Sequence, residues 1–246
     1  VARLVKVRID ESVSTPSVGH SDRPRREVVD SSRSLRRLRK EIEQLENRSQ
    51  HRSGSVTKRF LDVTDLLQEM GYLDGWAVTE RGHVLAGVFH ESDLLVVEVL
   101  MGGILDKLSV PDLVSCVSCL VFEPRGGASG HVRWPNETVR NRFRRMEKLS
   151  RRLNDMQAMR GIQQHRPPHA GLAMDALNWA NGRPLADVLD PELTPGDFVR
   201  SMRQIIDLLR QLETVSPDGK VREAAALAVK AVNRGVVAAA AGEPSE

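Results

Sequence analysis

A chain of 246 residues is long enough to bury a sizeable core, as one large domain or two small ones. With 40% apolar and 28% charged residues it reads as a globular protein, and aromatics at only 4% exclude a broad aromatic platform for stacking bases. A net charge of +3 excludes a polycation as a whole, so local basic patches matter more than the total.

The two cysteines, Cys116 and Cys119, allow no disulfide framework and fit a reducing compartment. No signal peptide opens the chain, and a first residue of Val rather than Met suggests a fragment or a processed chain. The strongest apolar run, LLVVEVLMGGIL from Leu94, is too short to span a bilayer and is interrupted by Glu98. A cytoplasmic protein without a membrane partner is expected.

Residues 1–10 alternate weakly and read as a strand; residues 11–30, rich in Ser, Pro, Arg and Asp, read as a linker. In SLRRLRKEIEQLENR, Leu35, Leu38, Ile42 and Leu45 alternate by three and four, the seam of a short coiled-coil helix that needs a partner. A helix from about Ser55 to Met70 is expected to bury Val56, Phe60, Val63, Leu66 and Leu67, with Gly71 as its C-terminal cap. GWAVTERGHVLAGV then predicts a hairpin turning on Arg81–Gly82, and helix plus hairpin resemble the end of a winged-helix unit.

Glu91 to about Lys107 is apolar nearly all round and predicts a buried helix. Ser109 caps the next, with Pro111 and Asp112 in its first turn, running to Phe122. A Gly-rich loop leads to a long helix from Asn136, striped by Val139, Phe143, Met146, Leu149, Leu153 and Met156. Its other face carries Arg140, Arg142, Arg144, Arg145, Lys148, Arg151 and Arg152. After HRPPH come a helix over 172–181 carrying Trp179, another turn or two to Leu189, the helix TPGDFVRSMRQIIDLLRQLE, and a last packing helix from Val221 to about Ala240.

The helix beginning at Thr194 is the most strongly specified. Thr194 can serve as N-cap, Pro195 suits the first helical position, and Asp197 completes a capping box. Phe198, Val199, Met202, Ile205, Ile206, Leu209 and Leu212 share one face; Arg200, Arg203, Gln204, Asp207, Arg210 and Gln211 share the other. That polar face is either a solvated surface, in which an i,i+4 pair Arg203–Asp207 contributes ~0.3 kcal/mol, or a face turned toward something negatively charged.

No catalytic centre is legible. CVSC at Cys116–Cys119 lacks the second ligand pair a zinc site needs and lies inside an apolar helix, so two core cysteines are expected. Prolines between His165 and His169 favour an extended surface segment over a metal site. Neither a GxxxxGK[ST] phosphate loop nor a dinucleotide fingerprint occurs, and GGASG at Gly126 reads as a loop.

VTERGHVLAGVFHESDLLVVEVLMGGILDKLSVPDLVSCVSCLVFEPR, followed by ALNWANGRPLADVL, GDFVRSMRQIIDLLRQLE and VKAVNRGVVAA, resembles the C-terminal helical domain (DSHCT) of the superkiller-type DExH-box RNA helicases and their actinobacterial relatives. The likeness runs from about Ser55 to Ala240 in one order. RSGSVTKRFLDVTDLLQEMGYL is similar to the point where such chains re-enter a winged helix after an arch-like insertion, which makes the coiled-coil helix the returning arm.

The resemblance implies a mostly α, multi-helix bundle over 91–246, the end of a winged-helix unit over 53–90, and a linker with the returning arm over 1–52. It implies a C-terminal accessory region packing on RecA-like motor domains, which would hold ATP and Mg in the parent chain, with no cofactor in these residues. It makes the helix near 195–213 a ratchet helix along single-stranded RNA, with a basic and an acidic residue facing the strand at positions matching Gln204 and Asp207. Since Gln204 departs from the basic pattern, the resemblance leaves the phosphate contact either moved to Arg200 or Arg203 or weakened. RNA-processing proteins are the further partners implied. Two alternatives stay open: an interaction module docking a protein through the basic helix and the coiled-coil arm, or the same region of a DNA helicase.

Overall fold

The structure is a computed structural model that describes residues 56–124, 132–189 and 193–240. The expected strand at 1–10, the linker at 11–30, the Leu35–Leu45 coiled-coil seam and the Gly126 loop lie outside the described residues. From Thr57 onward the chain forms one compact unit. As expected, it is mostly α: α1 (56–69), a two-stranded antiparallel hairpin of β1 (Leu73–Asp74) and β2 (Ala77–Val78), α2 (Glu80–Ala86), α3 (Asp93–Met101), α4 (Val110–Val121), α5 (Glu137–Met159), a 3-10 turn at Ala170–Leu172, α6 (Ala173–Ala180), α7 (Leu185–Val188), α8 (Pro195–Val215), α9 (Gly219–Val232) and α10 (Gly235–Ala240).

The bundle is organised around α4, against which α5, α6, α8 and α9 all pack. Beyond Asp112 in its first turn, VPDLVSCVSCLV is apolar or small on every side, so no face of this part of the helix requires water, and Leu113 to Val121 are all buried. Its hydroxyls are satisfied internally: Ser115 Oγ donates to the Ala173 carbonyl at 2.7 Å, Ser118 Oγ to the Ser115 carbonyl at 2.7 Å. Ser109 caps the N-terminus as predicted, its hydroxyl accepting from the Asp112 amide. Burial pushes the Cys116 thiol up to about 12 and the Cys119 thiol further in the same direction, so both are protonated core groups.

α8 lies against α9, and the close approach follows from composition. α9 presents Val221, Ala225, Ala228 and Val232 at i, i+4, i+7 and i+11, all buried and half of them alanine. α8 supplies the larger Phe198, Met202, Ile205, Leu209 and Leu212, each fully enclosed.

Four expectations need correction. The hairpin turns at Gly75–Trp76, not at Arg81–Gly82, which lie inside α2. Gly75 has φ +57, the left-handed backbone that favours glycine, whereas a Cβ on Gly82 would stand 2.3 Å from the Tyr72 carbonyl oxygen; Gly82 is required for close approach, not for turning. Second, α1 buries Leu66 and part of Leu67 but leaves Val56 67%, Phe60 57% and Val63 39% exposed. Third, the buried helix after Glu91 stops at Met101, because Gly102–Gly103 breaks it with φ +63 at Gly103. Fourth, the final segment is two helices, parted at Asn233–Arg234, with Gly235 at φ +52 opening the second. Gly71, at φ +74, follows α1 as predicted.

Candidate nucleic-acid interface

The N-terminus of α8 is built as its sequence specifies. Thr194 Oγ1 accepts from the Asp197 amide at 3.2 Å and donates to the Asp197 carboxylate at 2.7 Å, so cap and acid hold each other. With Phe198, Met202, Ile205 and Leu209 committed to the core, Arg200, Gln204, Asp207 and Gln211 fall at i, i+4, i+7 and i+11 along the outer side. Arg203 and Arg210 flank them. Arg200, Arg203, Gln204 and Asp207 are all exposed.

Their neighbourhoods differ. Arg200 reaches Asp197 only at 4.0 Å, one turn back. The i,i+4 pair Arg203–Asp207 does not form; Arg203 Nη1 instead donates to the Ala240 carbonyl at 3.1 Å, where the guanidinium meets the partial negative charge at the end of α10. Gln204 and Asp207 carry no hydrogen bond or ion pair among the described residues. At the far end Gln211 Oε1 accepts from the Phe89 amide at 2.7 Å, tying the loop before α3 to this face. The structure therefore brings the four predicted residues onto one exposed side, with Arg203 partly committed to α10.

The basic helix α5 is set by Asn136, whose side chain accepts from the Val139 amide at 2.9 Å. Its predicted stripe is buried at Val139, Phe143, Met146 and Leu153, and joined by Ser150 and Gln157. Two of its arginines have structural duties that no spacing reveals. Arg142 donates to the carbonyls of Gly103 and Asp106 at 3.3 and 3.1 Å, and Arg145 to that of Gly102 at 3.2 Å. Together they satisfy carbonyls left open where α3 ends.

Arg166 does the same for α4, donating to the Val121 and Phe122 carbonyls while pairing with Glu91. It belongs to HRPPH, which is a strap rather than a free surface segment. His165 Nε2 lies 3.0 Å from Ser150 Oγ and its Nδ1 3.1 Å from Gln157 Oε1; the His169 amide donates to the Cys119 carbonyl at 2.8 Å. The two imidazoles serve separate structural contacts, and among the described residues no cluster of His, Cys, Asp or Glu suits a metal ion. A cleft of 330 Å³ beside His165 is edged by Glu91 and Asp93, the wrong charge for a polyanion.

Burial holds His165 below its ordinary value against a smaller opposing pull from Asp93, and burial lowers His90 and His169 as well. A histidine depressed on folding binds fewer protons folded than unfolded. Its contribution is intact above the unfolded value of ~6.5 and is lost as pH falls through the folded value. The thermal midpoint is therefore expected to drop between about pH 7.5 and 5.5, and His165→Gln to reduce that drop. Thermal scans showing the same pH slope with and without His165 would contradict this assignment.

Fold and surface together define a mostly α-helical bundle whose free charge sits on open helix faces. The chain belongs to the DSHCT (NUC185) domain family, which it matches over residues 75–240. It is 32% identical over 222 residues to the probable helicase HelY of Mycobacterium tuberculosis (strain ATCC 25618 / H37Rv), covering 84% of this chain and 24% of that protein. It is 34% identical over 215 residues to the probable helicase HelY of Mycobacterium leprae (strain TN), covering 81% of this chain and 23% of that protein. To the exosome RNA helicase MTR4 of Homo sapiens it is 24% identical over 157 residues, 60% of this chain and 14% of that protein. The chain thus spans about a quarter or less of the length of these curated relatives. The likeness makes it a helicase-associated region of the DExH-box class.

Proposed function

We propose that these residues form the C-terminal accessory part of an ATP-dependent RNA helicase and that α8 acts as a ratchet helix along the single strand. ATP and Mg would be bound by RecA-like motor domains of the parent protein, on which the bundle would pack. The observation that carries the reading is the free side of α8: Arg200, Gln204 and Asp207 follow one helical line, exposed, behind a face that is wholly core. Arg200 would hold phosphate as a charged clamp, Gln204 and Asp207 would contact sugar and base edges, and Arg203 would contribute from the side while steadying α10. The names of relatives such as MTR4 favour RNA over DNA as the substrate.

The exposed apolar groups at the start of the unit support the same reading. Phe60 and Trp76 form an exposed stacked pair with ring centroids 6.2 Å apart, and Leu61 and Val78 are exposed as well. In a winged-helix unit of the parent protein, the remainder of that unit would cover them.

The test is Arg200→Ala with Arg203→Ala in the complete enzyme. Unwinding is expected to fall more than ATP hydrolysis, and the slope of log affinity for single-stranded RNA against log salt to flatten by roughly 1.4 for two lost phosphate contacts. Unwinding at the parental rate would refute the role given to this face.

A further inference from the structure

The seven basic residues on α5 look equivalent in sequence, and the structure divides them. Arg142 and Arg145 are spent on carbonyls at the end of α3, and Arg140 pairs with Glu137 at 3.6 Å. Arg144, Lys148, Arg151 and Arg152 are exposed and carry neither ion pair nor hydrogen bond among the described residues. At 100° per residue these four lie within one outward arc of about 100°, opposite the buried line of Val139, Met146, Ser150 and Leu153. Glu147 and Asp155 stand at i,i+3 and i,i+4 from members of the stripe yet form no ion pair with them among the described residues, and Glu137 is already paired with Arg140. Four like charges spaced a turn or less apart repel one another by a few tenths of a kcal/mol per pair. No hydrogen bond or ion pair to these four side chains among the described residues offsets that cost.

We infer that this stripe is a second polyanion-binding surface, made for the phosphodiester backbone of nucleic acid and separate from α8. Separation follows from packing: α5 lies on α3 and α4, α8 on α4, α9 and α10, so the central helix stands between them. Phosphate is favoured over an acidic protein by what the stripe lacks. Protein interfaces place apolar or aromatic anchors at their centre. On α5 the only exposed large apolar side chain is Met159, at its last position, clear of the four cations. A line of charge without anchors binds by counterion release and reads no sequence. Three of the four are arginines, whose planar fork matches phosphate oxygens two at a time. From Arg144 to Arg152 the helix rises ~12 Å, enough to follow several nucleotides of a single strand or one flank of a duplex.

The experiment is fluorescence anisotropy of the full 246-residue chain with labelled single-stranded RNA and, separately, with duplex RNA of equal length, across about 50–200 mM salt. The variant is Arg144→Gln/Lys148→Gln/Arg151→Gln/Arg152→Gln, whose melting midpoint should match or slightly exceed the parental value, because these side chains carry no hydrogen bond or ion pair among the described residues and their mutual repulsion is removed. Loss of four contacts is expected to flatten the salt slope by roughly 3 on single strands. The parental chain would then lose roughly 50-fold more affinity than the variant over that salt range. The two arms show whether strand or duplex supplies the phosphates. Parental affinity on both arms would overturn the inference, as would displacement of the RNA by polyglutamate as readily as by unlabelled RNA, which would assign the stripe to an acidic protein. Arg200→Ala/Arg203→Ala, run in parallel, keeps the two surfaces apart: a loss confined to that variant sinks this proposal and leaves α8 standing.

Discussion

Trp179→Ala is expected to destabilise the bundle by about 3–5 kcal/mol, the range for removing a large buried aromatic. The indole is 2% exposed and joins three elements. Its Nε1–H donates to the Val232 carbonyl at 2.8 Å, closing α6 onto the end of α9. Its face carries the Arg234 guanidinium 3.6 Å from the ring centroid, and Phe198 of α8 meets it edge-on at 5.4 Å. Arg234 in turn donates to the carbonyls of Trp179 and Arg183 at 2.7 and 2.6 Å. Truncation leaves a cavity and a cation without its ring, and the Val232 carbonyl keeps only its bond from the Arg234 amide at 2.9 Å. Trp179→Phe keeps most of the volume but not the N–H, so about 1–2 kcal/mol should be attributable to the hydrogen bond. Urea unfolding should rank parental above Phe above Ala with an unchanged m-value. A Trp179→Phe variant as stable as the parental chain would show that the indole N–H contributes nothing. The effect reaches the interface, because Phe198 is two residues before Arg200 and fixes that end of α8.

Where local rules decide structure, the chain could be read directly. The cap at Thr194, the one at Ser109, the start of α5 at Asn136 and the two-sided character of α8 all depend on residues within one or two turns, and all are observed. Misplacements arose where a residue's role is set by a distant partner. Gly82 looked like a turn glycine, yet it is small because the Tyr72 carbonyl presses on it. The stripe on α1 is amphipathic as read, but periodicity states which side is apolar and not what covers it, and Phe60 is exposed. The candidate interface was legible in the same uneven way. The outward side of α8 followed from spacing alone, whereas the tie between Arg203 and Ala240 could not, since the break at Asn233–Arg234 that brings α10 back went unrecognised. Likewise Arg142, Arg145, Arg166 and Arg234 all bond open carbonyls, a task that leaves no sequence signature. Only the fold separates them from the cations of α5 that carry no hydrogen bond or ion pair among the described residues.

Glu98 should give the second large effect, and its sign can be set against a rescue. On α3, its carboxylate accepts from the Tyr72 hydroxyl and pairs with Arg81 of α2, whose guanidinium also sits 4.9 Å over the Tyr72 ring. Burial, with the Glu98 carboxylate adding to it, pushes the Tyr72 phenol up, so it stays a donor throughout the ordinary pH range. The three side chains lock the hairpin region to α3, and Tyr72 precedes residue 75, where the family match begins; the folded unit therefore reaches further upstream than the match. Glu98→Leu leaves a hydroxyl and a cation without their acceptor. Breaking a fully buried pair costs about 3–5 kcal/mol; because the Arg81 side chain is 34% exposed and keeps some water, about 2–3 kcal/mol is expected. Arg81→Met/Glu98→Leu removes both charges and should recover part of that loss, since the stranded cation is then absent. In a double-mutant cycle from denaturant unfolding the coupling should reach at least about 1 kcal/mol. If the double variant were less stable than Glu98→Leu by the full cost of Arg81→Met, the two side chains would be energetically independent. The hairpin would then be held to α3 by the Tyr72–Glu98 hydrogen bond and by burial of Leu66 and Tyr72 without help from the Arg81 charge.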